Sequence, residues 1–343
     1  MKLLIITQKV DKNDPILGFF HRWIIEFAKH CESVVVICLE KGAYELPANV
    51  RVLSLGKEKK VSRATYLSRF YSYIWKERKN YDVVFVHMNQ EYILLAGCLW
   101  KMLGKKIFMW RNHHAGSFLT DMAAGFCTKV FCTSKYSYTA KYTKTVFMPV
   151  GVDLEYFKPQ QNIERKGNSI LFLARFSPTK RPDLLIDALK NVADDGIEYI
   201  ASIYGDPIES DMEYYESIKA RVLKYGLEQR ITFYKGLPNH ETPKIYSAHE
   251  FFVNLSSSGM YDKTIFEAMA CGCLIVASND NLKGRISDDF VFKQGDLVEL
   301  TKKLERLLAY NYREKQEAVQ NLRKFIEEHS LKNLADSLFK EII

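Results

Sequence analysis

Short apolar runs alternate with amphipathic stretches along the whole chain, and this alternation limits the folds that the chain can adopt. The apolar runs comprise residues 3–7, 33–39, 83–87, 106–111 and 130–134 in the first half, and residues 170–174, 199–205, 231–234, 250–255 and 274–278 in the second. Runs this short are typical of buried parallel strands. Helical patterns separate them, for example over residues 182–193, 212–225, 242–247 and 264–271. The pattern predicts two doubly wound α/β domains.

Length and composition agree with two globular domains. The chain has 343 residues, of which 47% are apolar and 26% charged, and these values suit two domains with sizeable cores. The polar segment 159–167 reads as a linker. We therefore predict one domain over residues 1–158, a second over residues 159–325, and a charged helical tail over residues 326–343. Packing of this tail back on the first domain is one possible arrangement.

Several features favour a cytoplasmic protein. No apolar run approaches the ~18 residues that can span a bilayer, and the apolar part of residues 1–9 is too short for a signal peptide. The seven cysteines are odd in number and include no C-x-x-C pair. This pattern indicates reduced thiols in the core of a cytosolic protein rather than a disulfide framework.

Charge is distributed unevenly between the two halves. Residues 1–150 contain 23 lysines and arginines against 11 acidic residues, whereas residues 151–343 contain 26 against 30. The first half therefore has a net charge of +12 and the second half one of −4, which together give the overall +8. An asymmetry of this size suggests that the first half meets an anionic partner.

Two short segments of the second half suggest a site for phosphate. Arg175 and Lys180 lie in a turn with Pro178 that directly follows an apolar strand, and a turn lets both side chains converge on one point. Glu267 stands at the start of a helix of small residues that ends at Gly272. Basic side chains and helix N-termini both hold phosphate, and a carboxylate beside them suits a ribose diol. Together the two segments describe a pocket for a nucleoside diphosphate.

These segments belong to a longer series of motifs that resembles the retaining glycosyltransferases of family 4. The other members of the series are Gly18 before an amphipathic helix, a histidine at 113 or 114, Pro-Val-Gly-Val-Asp at 149–153, Tyr-Gly-Asp at 204–206, Tyr-Lys-Gly at 234–236 and Glu-Ala-Met-Ala-Cys-Gly at 267–272. Each motif is only modestly specific, but their order and spacing match the family through nearly the whole chain. The resemblance implies the GT-B fold, in which two Rossmann-like domains face each other across a cleft.

The resemblance also implies roles for individual residues. Arg175 and Lys180 would neutralise the leaving diphosphate, and Glu267 would bind the ribose hydroxyls. His113, with His114 as the alternative, would lie beside the reacting sugar. Gly18 and Gly205 would lie near phosphate, and Leu237 near the base. For each of these positions a structural role is the alternative, such as a solvated basic turn, a turn glycine or a glutamate that complements a helix dipole.

The segment before Glu267 departs from the family pattern. The family has an acidic residue eight positions before this glutamate, where the chain has Gly259, and its Gly-aromatic-Gly is here Met260-Tyr261-Asp262. Backbone N–H groups of Asp262, Lys263 and Thr264 remain candidate phosphate donors, because that task needs no particular side chain. We also hypothesise that Asp262 supplies the sugar-directed carboxylate that Gly259 lacks, with an exposed turn aspartate as the alternative.

The sequence predicts neither a metal site nor an organic cofactor. It contains no D-x-D motif and no His, Cys and carboxylate cluster with metal-ligand spacing. Basic side chains in place of a divalent cation are the simpler interpretation of the diphosphate site. Nucleic acid is an unlikely partner, since no recognised binding module is present.

A basic, amphipathic segment lies in the first half. The helical pattern over residues 65–79 predicts burial of Tyr66, Leu67, Phe70, Ile74 and Trp75. Basic residues line another face of this helix and the segment before it, namely Lys57, Lys59, Lys60, Arg63, Arg69, Lys76 and Lys79. A solvated helix face is one interpretation. Contact with anionic lipid headgroups or with a lipid-linked pyrophosphate acceptor is the other.

We therefore predict a retaining glycosyltransferase that moves a sugar from a nucleotide-sugar donor to a hydroxyl acceptor. The acceptor stays open between a lipid-linked compound and a cell-surface polysaccharide precursor, and the expected location is the cytoplasm or the inner face of the membrane. Two other classes remain. One is a sugar-nucleotide epimerase with the same fold, and the other is a non-catalytic module that binds nucleotide-sugar or membrane.

Overall fold

The computed structural model describes residues 1–256 and 260–343. It divides the chain into two compact units. Unit 1 comprises Met1–Gly151, Pro238–His240 and Leu331–Ile343, and unit 2 comprises Val152–Leu237 and Glu241–Ser330. The division after Gly151 lies earlier than the predicted boundary after residue 158, and the predicted linker is part of unit 2. There the Arg165 guanidinium donates to the carbonyls of Cys271 and Gly272.

Unit 1 is built on a parallel sheet of seven strands. These are β1 (Lys2–Val10), β2 (Ser33–Lys41), β3 (Val50–Ser54), β4 (Val83–His87), β5 (Lys106–Trp110), β6 (Lys129–Cys132) and β7 (Thr145–Phe147), in the order β3-β2-β1-β4-β5-β6-β7. Its first four helices are α1 (Gly18–Ala28), α2 (Arg63–Lys76), α3 (Glu91–Met102) and α4 (Phe118–Phe126). One core cluster joins the sheet to α1, and another joins it to α2, α3 and α4.

Unit 2 repeats the design with five parallel strands. These are β8 (Lys166–Leu173), β9 (Ile200–Tyr204), β10 (Ile231–Tyr234), β11 (His249–Asn254) and β12 (Leu274–Ala277), in the order β10-β9-β8-β11-β12. Its helices are α5 (Pro182–Asp194), α6 (Met212–Lys224), α7 (Thr242–Ala248), α8 (Lys263–Ala270), α9 (Leu297–Leu308) and α10 (Tyr312–Glu327). The prediction of two doubly wound α/β domains is confirmed.

The last helix, α11 (Leu331–Ile342), belongs to unit 1. Its apolar stripe, which includes Leu334, Leu338 and Phe339, lies in the same core cluster as the buried face of α1. The Phe339 ring meets the ring of Phe27 edge to face, with 5.6 Å between centroids. The end of the chain thus completes the core of the unit in which the chain begins.

The burial predicted for α2 is wrong at two positions. Phe70 and Ile74 are buried as expected, but Leu67 is 42% exposed and Trp75 is 50% exposed. The helix rests on the sheet through a narrower stripe than its apolar residues suggest, and Tyr71 is exposed beside them. Among the described residues, no helix is both long enough and apolar enough to span a bilayer.

Candidate functional site

The candidate site lies at the carboxyl edge of the unit 2 sheet, between β8 and β11. These two strands are neighbours, and the chain runs outward from them in opposite directions, to β9 and β10 on one side and to β12 on the other. Such a reversal of strand order leaves a crevice at the carboxyl ends of the two central strands, where open α/β sheets bind ligands. The turn containing Arg175 and Lys180 follows β8, and the segment leading to Asp262 follows β11.

Lys180 joins the two strand ends. Its ammonium donates to Asp262 Oδ2 and to Ser256 Oγ, each at 2.8 Å. The Lys180 side chain is 30% exposed and that of Asp262 only 17%. The sequence analysis brought Lys180 to this site but missed its partner Ser256. Ser256 is a polar residue directly after an apolar run, and this position could have indicated a site residue.

The carboxylate of Asp262 is surrounded by hydrogen-bond donors of the protein. Its carboxylate accepts hydrogen bonds from five donors, which are Lys180 Nζ, Asn254 Nδ2, Ser256 Oγ and both the backbone N–H and the hydroxyl of Thr264. A carboxylate offers roughly four acceptor positions, so these contacts occupy it in this structure. Asp262 is also the N-cap of α8, because it accepts from the Thr264 N–H.

The charges of this cluster reinforce each other. Burial on its own would disfavour ionisation of Asp262, but the Lys180 ammonium and the hydrogen bonds from Asn254 and Thr264 outweigh it. The pKa of Asp262 consequently lies well below its usual range. The Asp262 carboxylate and the Lys180 side chain therefore face each other at the switch point of the sheet.

Arg175 is exposed in the turn after β8. Among the described residues, its guanidinium makes no hydrogen bond or ion pair. The backbone on either side is fixed, because the Ala174 N–H donates to the Tyr204 carbonyl at 3.1 Å and the Phe176 N–H to the Asp206 carbonyl at 3.1 Å. The backbone of the turn is thus held in place, while the Arg175 side chain extends from it without an acidic partner among the described residues. Arg181, by contrast, pairs with Asp183 at 3.0 Å.

Gly205 packs against the backbone of this turn. Its φ is +155°, and a Cβ there would lie 1.9 Å from the Ala174 carbonyl oxygen. Only glycine lets β8 and β9 approach so closely at their carboxyl ends. Leu237 follows the edge strand β10 and is half-buried, and the neighbouring Gly236 N–H donates to Asp206 at 3.0 Å. Both predicted positions therefore lie at the same edge of the sheet as Arg175.

Glu267 lies deeper than the sequence suggests. Helix α8 begins at Lys263, so Glu267 stands in its second turn and not at its first residue. The side chain is 2% exposed, and the hydroxyl of the buried Tyr246 donates to Glu267 Oε2 at 3.4 Å. Burial raises the pKa of Tyr246, and the Glu267 carboxylate raises it further.

The proposed backbone donors are only partly available. The Thr264 N–H is already bound by the Asp262 side chain, whereas Lys263 is the first residue of α8 and partly exposed. Gly259, which stands where the family has an acidic residue, lies outside the described residues.

In unit 1 Gly18 begins α1 in a close contact. Its N–H donates to the Asp14 carbonyl at 3.0 Å, and a Cβ would lie 3.0 Å from the Lys12 carbonyl oxygen. The glycine therefore has a structural role in the loop between β1 and α1, which is compatible with a nearby phosphate but does not require one.

His113 and His114 are exposed after β5. Their rings stack with 4.6 Å between centroids, and His113 Nδ1 accepts from the Ala115 N–H at 3.0 Å. His113 lines a concavity of about 350 Å³ with Arg111, Ala115, Gly116 and Ser117. His114 is absent from that lining.

The sequence analysis missed His87. It ends β4, which neighbours β1 at the point where the strand order of unit 1 reverses, and it is 3% exposed. The ring stacks on Phe20 at 3.9 Å, and Nδ1 lies 3.3 Å from Thr7 Oγ1. The next residue, Met88, has a φ of +67°. His87 is a polar residue at the end of a central apolar strand, and this position could have indicated a site residue.

The part of the chain that the structure describes contains no group of three or more His, Cys, Asp or Glu residues placed to hold a metal ion. A concavity of about 970 Å³ in unit 2 is lined by α10, the end of α9 and residues 284–290. None of the predicted site residues lines it, so the strand ends and not this concavity define the candidate site.

Comparison with known proteins identifies the family. Residues 154–326 match the model of the glycosyl transferases group 1 family. The chain belongs to this family. The matched residues include the whole Lys180–Asp262 cluster and Glu267, whereas membership of family 4 stays a prediction.

Relatives of this group 1 glycosyltransferase include two D-inositol 3-phosphate glycosyltransferases. That of Frankia alni is 29% identical over 140 residues, which are 37% of this chain and 34% of the relative. That of Segniliparus rotundus is 26% identical over 211 residues, 55% of this chain and 45% of the relative. Spore coat protein SA of Bacillus subtilis is 26% identical over 213 residues, 53% and 56% of the two chains. The chain thus spans between a third and somewhat over half of the length of these relatives.

Solved structures resemble the protein over its whole length. Anabaena HepE, in complex with UDP, has a TM-score of 0.78 at 16% identity and covers 99% of both chains. Sucrose-phosphate synthase from Thermosynechococcus elongatus has a TM-score of 0.78 at 15% identity, covering 99% of this chain and 98% of that one. At such identities the likeness concerns the fold alone, and it confirms the predicted GT-B class of two parallel-sheet α/β domains.

Proposed function

We propose that this group 1 glycosyltransferase transfers a sugar from a nucleotide-sugar donor to a hydroxyl acceptor, with retention of the anomeric configuration. The observation that carries the proposal is the placement of Arg175 and Lys180 at the switch point of the unit 2 sheet. Two cations at the carboxyl ends of central strands suit the diphosphate of a donor. HepE, which shares the fold, has been solved with UDP and with UDP-glucose, so UDP-sugars are the first candidates.

The proposed chemistry needs the leaving group to be stabilised. The bond between the anomeric carbon and the phosphate oxygen breaks while the acceptor oxygen bonds to the same carbon from the same face. The acceptor proton passes to the departing phosphate. Negative charge grows on that phosphate as the bond breaks, and Arg175 and Lys180 would stabilise it. In this proposal the two side chains do the work of a divalent cation, so no metal is required.

Three finer features belong to the same proposal. The acceptor is a lipid-linked compound or a polysaccharide precursor, Glu267 binds the ribose of the donor, and His113 contacts the sugar. We also propose that the reaction takes place in the cytoplasm or at the inner face of the membrane. The excess of basic residues in residues 1–150 supports the second location, because basic residues are attracted to the anionic surface of a membrane and to a lipid-linked pyrophosphate in it.

A thermal-shift panel of UDP-, GDP- and dTDP-sugars tests the proposal first. A ligand that binds only the native state raises the melting temperature by mass action, so the proposal predicts a shift with the sugars of one nucleotide. Donor consumption is then measured with and without candidate acceptors. Acceptor-dependent release of the nucleoside diphosphate supports transfer. Isomerisation of the donor without acceptor would indicate an epimerase, and tight binding without turnover a binding module.

A further inference from the structure

Three neighbouring helices of unit 1 expose large apolar side chains on their outward faces. On α2 these are Leu67, Tyr71 and Trp75, on α3 Leu95 and Met102, and on α4 Phe118, Leu119 and Met122. We refer to these eight residues as the outer face. Scattered apolar side chains are normal on a protein surface, whereas contiguous ones mark interaction sites.

The side chains of α2 form a continuous stripe. Leu67, Tyr71 and Trp75 are spaced by four residues, so they lie above one another on one side of the helix. Phe70 and Ile74 lie on the adjacent side of α2 and are buried in the core, whereas Leu67, Tyr71 and Trp75 are 42%, 41% and 50% exposed. Phe70 and Ile74 hold the helix against the sheet, and much of the apolar surface of Leu67, Tyr71 and Trp75 is left to solvent.

Direct contacts join the three helices into one surface. The Tyr71 hydroxyl donates to the Leu95 carbonyl at 2.9 Å, which places the outward stripes of α2 and α3 side by side. Helix α4 rests on α3, since a Cβ at Gly97 would lie 2.7 Å from the ring of Phe126. All three helices contribute to the same core cluster on one side of the sheet. Their outward faces therefore point away from the same core.

Basic residues surround the stripe on α2. Lys59, Lys60, Arg63, Lys76 and Lys79 are exposed, and among the described residues none of them makes an ion pair. Two acidic residues of the same segment are engaged within the protein. Glu77 is buried beside Arg51, and both carboxylate oxygens of Glu58 accept from the Ser54 hydroxyl.

The charge excess extends along the whole segment that carries the outer face. Residues 57–145 contain 16 lysines and arginines against 5 acidic residues. This segment therefore supplies a net +11 of the +12 found in residues 1–150. The excess positive charge of residues 1–150 and the outer face thus lie in the same part of the chain.

We propose that the outer face is a docking surface for an anionic lipid bilayer. Apolar side chains that enter the headgroup region, flanked by lysine and arginine, are the combination that such a surface binds. Trp75 suits this place because its ring is apolar while its indole N–H stays near water, and the Arg78 guanidinium lies 4.4 Å from its ring centroid. A second copy of the chain is the other occupant that the test must distinguish. The proposal stands independently of the proposed transfer reaction.

Trp75 provides a direct probe. The chain has four tryptophans, and the other three, Trp23, Trp100 and Trp110, are buried. A shift of the emission maximum to shorter wavelength on addition of vesicles therefore reports the surroundings of Trp75. We expect this shift with vesicles of equal parts phosphatidylcholine and phosphatidylglycerol, and quenching when brominated lipid is included. It should be absent with phosphatidylcholine alone, and high salt should reduce it.

Substitutions test which surface binds. Trp75→Ser and Phe118→Ser, measured by co-sedimentation of the full chain, should each lower partitioning onto anionic vesicles about tenfold. Leu223→Ser on α6 and Tyr312→Ser on α10 are the matched controls, because both residues are exposed apolar side chains of unit 2. The controls should bind like the wild type. All four substitutions lie on the surface, so unchanged melting temperatures verify that the variants fold.

Several outcomes would overturn the proposal. These are no binding to anionic vesicles, equal binding to neutral ones, and unchanged binding of both outer-face variants. Sedimentation velocity tests whether the outer face joins two copies of the chain. A wild-type dimer that dissociates in Trp75→Ser, without vesicle binding, would assign the face to a second copy of the chain. Acceptor-dependent release of the nucleoside diphosphate, measured without vesicles, decides the proposed transfer reaction separately.

Discussion

Lys180 Nζ lies 2.8 Å from Asp262 Oδ2, so the cation expected to hold the donor phosphate already has a carboxylate partner within the protein. The two residues are 82 positions apart and meet because β8 and β11 are neighbours in the sheet. Ser256 and Asn254 fix the same carboxylate oxygen. A donor phosphate must therefore share Lys180 with Asp262 or displace it.

Asp262→Asn should strengthen the binding of free nucleoside diphosphate. Asparagine is also a good N-cap, so α8 keeps its first turn while Lys180 loses its counter-ion. We expect Kd to fall roughly fivefold, equivalent to about 1 kcal/mol, and to fall most at low salt. The choice among donor sugars should not change. Titration calorimetry with the free diphosphate and kinetics with several donors measure both quantities.

The same variant tests the hypothesis that Asp262 faces the donor sugar. That hypothesis predicts the reverse outcome, with unchanged binding of the diphosphate and altered activity or sugar preference. Thr264→Val serves as the control, because it removes one hydroxyl donor to Asp262 without changing the charge of the cluster.

Glu267→Gln should weaken nucleotide binding through the ribose. A charge-assisted hydrogen bond contributes about 1.5–3 kcal/mol, so loss of the charge should raise Kd for the nucleoside diphosphate about tenfold or more. The 2′,3′-dideoxy analogue should bind the variant and the wild type equally. Tyr246→Phe is the control, since it removes the hydroxyl beside Glu267 and keeps the carboxylate. Equal losses with both nucleotides would show that Glu267 only stabilises the fold.

Gly205→Ala should destabilise unit 2 more than Gly226→Ala. Both glycines have positive φ, but only the Cβ at 205 would clash, at 1.9 Å from the Ala174 carbonyl oxygen. At 226 nothing lies within 4 Å, so the cost there is only the left-handed backbone, about 1 kcal/mol. At 205 we expect at least ~2 kcal/mol. Urea unfolding monitored by circular dichroism compares them, and similar losses would contradict the close approach of β8 and β9.

His329 should make stability depend on pH. Burial among the rings of Tyr261, Phe266 and Phe325 lowers its pKa from 6.5 to about 4. Between these values the unfolded chain binds the proton and the folded chain does not. The free energy of unfolding should therefore fall as pH decreases from 6.5 towards 4, with a slope of up to ~1.4 kcal/mol per pH unit. His329→Gln should have a smaller slope in urea titrations between pH 7 and pH 5, and an unchanged slope would exclude His329 as the cause.

The sequence predicted those parts of the fold that are encoded locally. All ten predicted strands are present, because each is a short apolar run, and most of them are buried on both faces of a sheet. The sequence analysis missed β3 and β7, since strand residues such as Arg51 and Phe147 are exposed. Helix α8 was predicted within one residue at each end, from its small residues and the glycine that follows it.

Contacts between distant segments were not predictable. The motifs placed Arg175, Lys180 and Asp262 near one ligand, but no local pattern shows that Asp262 binds Lys180, because this contact depends on the order of the strands. Helical periodicity likewise selected Leu67 and Trp75 for burial. Only the packing of α2 on the sheet shows that the helix rests on Phe70 and Ile74 and leaves the other two exposed.

Turnover at saturating donor in Arg175→Ala and Lys180→Ala tests the central claim most directly. Arg181→Ala is the matched control, because Arg181 lies in the same turn but pairs with Asp183. If both cations stabilise the charge that grows on the leaving phosphate, kcat should fall about 10²–10³-fold in each of the first two variants and stay near the wild-type value in the third. Near-normal turnover in either Arg175→Ala or Lys180→Ala would contradict the account.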